Sequence, residues 1–151
     1  MSESPSAFRF HHPVTVRFRD IDVGGHAHHS EALMYFEEAR WAYWRKIVGR
    51  GGIEDIDYVI AEARIRWHQR VLWPQTVQVG VRVSRLGRKH FDIDYEVRSE
   101  DGALLVSGAT VQVMFDYAAE RSVGLPDDLR ATLTEFDGPF ARSRDETSKL
   151  D

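Results

Sequence analysis

The sequence predicts one α+β domain, an antiparallel sheet of about five strands curled around a single long helix. Three observations predict it. One stretch carries apolar residues on nearly every side of a helix, several segments alternate apolar and polar residues, and glycine turns join the last of these segments into a meander.

The helix is read from about Ser30 to about Val48. Ser30 is a good N-cap candidate, and the charge of Glu31 suits the positive end of the helix dipole. Gly49, Gly51 and Gly52 end the helix. Its apolar residues Leu33, Met34, Tyr35, Phe36, Ala39, Trp41, Tyr43, Trp44, Ile47 and Val48 form the pattern of a helix buried on most sides.

The first strand carries Val14, Val16 and Phe18, the second Val59, Ala61, Ala63, Ile65 and Trp67, and the third Val77, Val79, Val81 and Val83. In the fourth, Phe91, Ile93, Tyr95 and Val97 alternate with Asp92, Asp94, Glu96 and Arg98, and Ala109, Val111, Val113 and Phe115 make the fifth. Leu86-Gly87-Arg88 and Asp101-Gly102 separate the last three as hairpin turns. Residues 126–136 read as a short terminal helix. Residues 1–7 and 141–151 carry no apolar pattern and are expected to be flexible, leaving 8–140 as the domain.

Composition excludes several function classes. Twenty Lys and Arg against 24 Asp and Glu leave a net charge of -4, so no overall positive field points to nucleic acid or to an acidic membrane. The absence of cysteine excludes disulfides, thiolate metal sites and a Cys nucleophile. No apolar run is long enough to span a bilayer, and Met1 to Ser6 holds no apolar signal core, so a cytoplasmic protein is expected.

Reactive side chains are densest just before the helix, in Arg19-Asp20-Ile21-Asp22-Val23-Gly24-Gly25-His26-Ala27-His28-His29-Ser30. The glycines permit a tight turn and close approach of a ligand, and the turn leads to a helix N-terminus whose free N–H groups can hold a negatively charged oxygen. A carboxylate facing that spot, Asp20 or Asp22, can act as a nucleophile or as a base for water. Such a minimal site suits a thioester, because a thiol of pKa roughly 8.5 leaves as thiolate without a strong acid.

Structural roles compete for each of these residues. An Asp near a helix start is commonly a turn or capping residue, and that reading holds for Asp20. His26, His28 and His29 with Asp22 could form a metal site, but no second ligand set accompanies them, so neither metal nor cofactor is expected. No Gly-x-Ser-x-Gly turn supports a serine hydrolase, since Ser107-Gly108 sits in a strand pattern. Trp41, Trp44, Trp67 and Trp73 read as core and interface residues. Arg88 and Lys89, beside Arg85 and His90 at the Gly87 turn, could hold phosphates or simply solvate a hairpin end.

Phe18-Arg19-Asp20-Ile21-Asp22-Val23-Gly24-Gly25-His26, followed by Tyr35-Phe36-Glu37-Glu38-Ala39-Arg40, resembles the signature of the 4-hydroxybenzoyl-CoA thioesterase family of hotdog-fold proteins. The resemblance extends from about residue 10 to about residue 136. It implies an acyl-CoA thioesterase in which Asp22 is the catalytic carboxylate and His29, seven positions later, supplies the N–H that polarises the thioester carbonyl. A histidine at that position also has a proposed side-chain role in the bacterial short-chain branch. Gly25, His26 and His28 in the same turn become candidate substrate contacts, with Arg88 and Lys89 for the phosphates of coenzyme A. Glu38 is the reserve catalytic residue, because a related branch uses a carboxylate on the helix. Relatives build the site across a dimer interface, which implies a homodimer or a tetramer.

The chain has His28-His29 where many members have Asn-Asn, and Ala32 where many have Tyr. These positions bear on the acyl group and leave the reaction class standing. An acyl-acyl-carrier-protein thioesterase and a hotdog protein that binds acyl-thioesters without turnover are the alternatives, and a hotdog dehydratase is weaker still. A carboxylate beside the carbonyl favours the enzyme.

Overall fold

The computed structural model describes residues 8–52 and 56–141. The expected flexible segments at 1–7 and 141–151 lie outside them, apart from Ala141. Strand β1 (Phe10–Thr15) leads through a 3-10 turn (Phe18–Asp20) to helix α1 (Glu31–Tyr43), which runs on as a π-helical turn (Trp44–Val48). Strands β2 (Tyr58–Trp67), β3 (Thr76–Leu86), β4 (His90–Arg98), β5 (Leu104–Asp116) and β6 (Arg121–Ser122) follow, and helix α2 (Asp127–Asp137) closes the order. The strands hydrogen-bond in the order β1-β3-β4-β5-β2, with β6 on β5. β1 and β3 are antiparallel, with Phe10 opposite Val81 and Val14 opposite Val77. Helix, sheet and connectivity are those of an α+β protein, as the two periodicities require.

The chain divides into two compact units that share β2 to β5. The first comprises Met1–Tyr43, Ile65–Arg82 and Asp94–Gly108. Within it α1 lies against β1, Phe10 meets Tyr43 edge-on at 5.4 Å, and Phe36 stacks on Tyr95 of β4 at 4.2 Å with the rings 4° from parallel. Arg40 is buried on the same face and donates to the Tyr95 hydroxyl at 3.0 Å, so its burial is compensated by a hydrogen bond. Leu33, Met34 and Trp41 stay exposed. The helix therefore buries one broad face in this chain, where the sequence suggested nearly all sides.

The second unit comprises Trp44–Arg64, Val83–Ile93 and Ala109–Asp151. Trp44 is its anchor, 1% exposed, stacked on Phe91 at 5.3 Å and edge-on to Tyr58 at 5.2 Å. Helix α2 follows Pro126 and buries Leu129 and Leu133. Asp137 accepts the Val83 N–H at 2.9 Å, and Arg130 donates to the Gly87 carbonyl at 2.9 Å. Buried Gln112 donates to the Phe91 carbonyl at 2.9 Å and accepts from the Thr110 hydroxyl.

Three details depart from the sequence pattern. Phe18 does not continue β1: the Asp20 carboxylate takes the Arg17 N–H at 2.9 Å and the Asp20 N–H bonds the Arg17 carbonyl at 2.9 Å, which turns the chain and leaves Phe18 72% exposed. The alternation in β2 does not give a buried face here: Ile60, Ala61 and Ala63 are exposed, whereas β1, at the other end of the strand order, buries Phe10 and Val14. Strand β6 has two residues, too few for any periodicity to announce it.

Phe36→Ala should cost about 3–5 kcal/mol in urea unfolding, because a fully buried ring with a stacked partner is removed. Leu33→Ala on the exposed face should stay within about 0.5 kcal/mol of wild type in the same assay.

Candidate active site

The segment between the 3-10 turn and α1 is held at several points. Asp20, 4% exposed, accepts the Tyr35 hydroxyl at 2.8 Å as well as the Arg17 N–H, and its carbonyl accepts the His28 N–H at 2.8 Å. One residue thus ties the start of the loop, its end and the second turn of α1 together. Burial, then the Asp20 carboxylate, push the Tyr35 hydroxyl far above its ordinary range, so it acts as a donor and remains protonated. Asp20 has the structural role that the turn reading gave it.

Between these anchors the chain makes a tight hairpin. Ile21 bridges Ala27, the Asp22 N–H bonds the His26 carbonyl at 3.0 Å, and the Gly25 N–H bonds the Asp22 carbonyl at 3.0 Å. Gly25 has φ +86°, a left-handed conformation that a side chain would strain. The Gly24 N–H donates to Asp22 Oδ1 at 2.8 Å. The other carboxylate oxygen of Asp22 has no protein partner among the described residues. Ala27 then pins the hairpin to a second segment, its N–H on the Val71 carbonyl at 2.8 Å.

A cleft of about 310 Å³ opens here, within the first unit. Asp22, His26, His28, His29, Ala32 and Tyr35 contribute from the loop and helix, while Trp67, His68, Gln69, Arg70 and Val71 contribute from the end of β2 and beyond. Among the described residues, Asp22 is the only carboxylate that lines it, and Arg70 the only Arg or Lys. His29 stands two residues before α1, and its N–H has no acceptor among the described residues. Ser30 follows, its hydroxyl 2.9 Å from His28 Nδ1 and its N–H donated to that same nitrogen at 3.1 Å. That contact makes Nδ1 an acceptor and leaves the His28 proton on Nε2. The His28 and His29 rings lie 4.1 Å apart, and Trp67 meets His29 edge-on at 6.1 Å.

The structure gathers Asp22, His26, His28 and His29 into one cleft and uses Gly25 to shape the turn. It does not gather the others. Glu38 lines a different cleft with Arg17, Glu31 and Trp41, and its carboxylate is 3.7 Å from His12. Arg88 and Lys89 belong to the β3–β4 turn of the second unit, where their carbonyls accept the N–H groups of Leu125 and Met114. The sequence reading missed Trp67 to Val71 as cleft residues; nothing in their spacing announces it, because the pairing of Ala27 with Val71 is what brings them in. Ser107 bonds His68 at 2.9 Å, but no carboxylate orients that histidine among the described residues, so the pair lacks the third member of a triad. Among the described residues no group of three or more acidic or histidine side chains is arranged to hold a metal ion.

A helix entered directly after the first strand of an antiparallel sheet, with the reactive turn at its N-terminus, defines the hotdog class. The chain belongs to the thioesterase-like superfamily, whose model matches residues 16–133, and its reaction class is thioester hydrolysis. It is 25% identical over 131 residues to the uncharacterized protein YsmA of Bacillus subtilis (strain 168), covering 87% of this chain and 89% of that one. A thioesterase from Thermus thermophilus, solved in complex with coenzyme A and Zn, is similar with TM-score 0.81 and 29% identity over 89% of this chain and 98% of the other. The fold is also that of a 1,4-dihydroxy-2-naphthoyl-CoA thioesterase from Synechocystis, with TM-score 0.72 and 19% identity over 86% of this chain and 98% of the other.

Glu31 gives the site a pH signature. Burial, followed by the charge and hydrogen bond of Asp20, raises its pKa above the ordinary 4.5. The folded protein then holds this proton to higher pH than the unfolded chain, so stability falls as pH rises through the window above 4.5, and the loss persists at neutrality. Glu31→Gln cannot ionise. Its melting temperature relative to wild type should therefore improve between about pH 4 and pH 7, and a difference independent of pH would contradict the coupling.

Proposed function

We propose that the chain hydrolyses an acyl-coenzyme A to the free acid and coenzyme A, with Asp22 as the reacting carboxylate and the His29 N–H polarising the thioester carbonyl. The observation that carries this is the placement of one carboxylate, oriented through a single oxygen by the Gly24 N–H, in a cleft also lined by His29, which stands two residues before α1 and whose N–H has no acceptor among the described residues. The coenzyme A in the Thermus relative supports the carrier.

Two balanced routes use these groups. Asp22 attacks the carbonyl carbon, the C–S bond breaks with its electrons on sulfur, and water then cleaves the resulting anhydride. Alternatively Asp22 takes a proton from the attacking water, the tetrahedral oxyanion is held at the His29 N–H, and its collapse expels the thiolate. In both, the stability of the thiolate removes the need for a strong acid at the leaving group. An acyl-carrier-protein thioester would react in the same way, and a binding protein without turnover is the reading left if no thioester is cleaved. A cytoplasmic location belongs to the same proposal; no helix of the described residues is long and apolar enough to cross a membrane.

The working unit is a homodimer or a tetramer built from it. Support comes from β2, whose ten residues end the strand order and leave Ile60, Ala61, Ala63 and Trp67 exposed. A long edge of this kind is covered in stable proteins. Light scattering should report at least a dimer, and a fully active monomer would rule the assembly out.

Asp22→Asn should lower kcat by about 10²-fold or more while affinity for a non-hydrolysable acyl-CoA analogue stays near wild type, because Asn keeps the shape and loses the anion. Glu38→Gln should retain most activity. His29→Ala should lose about 10-fold to 100-fold, since the backbone N–H survives. Steady-state release of free thiol, read over a panel of acyl-CoA substrates, checks all three; an active Asp22→Asn beside a dead Glu38→Gln would move the reaction to the helix.

A further inference from the structure

The cleft that holds Asp22 also holds one guanidinium with nothing to bind. Arg70 lines it, is exposed, and has no hydrogen bond or ion pair among the described residues. It does not pair with Asp22, although both line the same 310 Å³. Arg82 is engaged with Asp94 at 2.8 Å, Arg98 with Glu96 at 3.0 Å and Arg40 with Tyr95 at 3.0 Å; Arg64 and Arg66 also have no side-chain partner among the described residues, but they do not line the cleft.

The backbone around Arg70 is fixed on both sides. The His68 and Gln69 N–H groups bond the Leu105 carbonyl at 2.8 and 3.1 Å, and the Val71 carbonyl accepts from Ala27 at 2.8 Å. The backbone therefore fixes where the Arg70 side chain leaves the chain, at the cleft.

Arg70 also lines an adjoining cleft of about 510 Å³ with Gln69, Leu72 and Trp73. The two carboxylates of that cleft are already occupied: Glu100 accepts the Thr76 N–H at 3.0 Å, and Asp101 accepts the Ser99 hydroxyl and the Ala103 N–H. Neither forms an ion pair with Arg70 among the described residues. A substrate laid from one cleft into the other passes this guanidinium.

We infer that Arg70 is the anion-recognising residue of the Asp22 cleft, binding a carboxylate or phosphate oxygen pair of the substrate through its planar fork. The inference rests on the thioesterase reading and deepens it. It assigns to Arg70 a task that the sequence suggested for Arg88 and Lys89, which lie in the β3–β4 turn and do not line the cleft. A guanidinium matches the two oxygens of a carboxylate or phosphate in a way that an ammonium does not, so the arginine sets specificity as well as attraction. Two sources carry that chemistry: the phosphates of coenzyme A, and a carboxylate at the far end of the acyl group.

Arg70→Gln and Arg70→Lys in the full-length protein separate them. Three thioesters are compared: a neutral short acyl-CoA, succinyl-CoA, and the neutral acyl group on pantetheine, which lacks phosphate. Arg70→Gln should raise KM about tenfold or more for the substrate that carries the recognised anion, with kcat changed far less and with Lys recovering part of the loss. A rise for both coenzyme A thioesters and none for the pantetheine thioester assigns the phosphates. A rise for succinyl-CoA alone assigns the acyl carboxylate.

An equal rise for all three, unchanged kinetics for all three, or dissociation of the oligomer with no substrate dependence would overturn the inference. If the wild type hydrolyses none of them, the thioesterase reading fails separately. Arg70 is then decided by calorimetric titration with a thioether analogue of succinyl-CoA, where affinity equal to wild type in Arg70→Gln counts against it and a tenfold loss supports it.

Discussion

The buried Asp20 carboxylate is the constraint on which the reactive segment depends. By accepting the Arg17 N–H and the Tyr35 hydroxyl it stops β1, turns the chain and fastens the turn to α1. A buried carboxylate is costly unless it is hydrogen-bonded, and here one oxygen, Oδ2, accepts from both the Arg17 N–H and the Tyr35 hydroxyl of α1. The Asp20 carbonyl adds the far end of the loop through the His28 N–H. Everything between residues 20 and 28 is therefore a short closed hairpin, and the position of Asp22 at its side follows from that closure.

This arrangement separates two chemically similar residues. Asp20 and Asp22 are two positions apart, yet one is 4% exposed and bonded within the fold while the other lines an open cleft with one oxygen held by the Gly24 N–H. Their surroundings diverge because the local backbone sends one side chain toward Tyr35 and the other to the cleft. His29, two residues before α1, lines the same cleft, and its N–H has no acceptor among the described residues.

The two units are stabilised in similar ways by aromatic pairs on either side of the junction at Tyr43 and Trp44. In the first, Phe36 on Tyr95 and Phe10 against Tyr43 join α1 to β4 and β1. In the second, Trp44 joins the π-helical turn to Phe91 and Tyr58. Such stacked and edge-on rings contribute beyond the apolar area they bury. The edge at β2 is different. Glu62, Arg64 and Arg66 alternate there with Ala61, Ala63 and Ile65, a mixture of charge and small apolar side chains that discourages random edge pairing while leaving room for a specific partner.

The fold class, the long helix, five of the strands and the terminal helix were legible in the sequence, because burial on one face of a strand or helix writes a period of 2 or 3.6 into the chain. That one turn would carry Asp22 and His29 to the same cleft was legible too, because they and the glycines are neighbours in sequence. Tertiary structure decided the rest. The end of β1 depended on a hydrogen bond from Asp20 that overrides the alternation Val14, Val16, Phe18. Which tryptophans are buried depended on packing, with Trp44 enclosed and Trp41, Trp67 and Trp73 exposed. The far wall of the cleft, from Trp67 to Val71, came from the Ala27–Val71 contact between segments more than forty residues apart. No periodicity carries such a pairing, since it arises only when the sheet closes and the loop meets it.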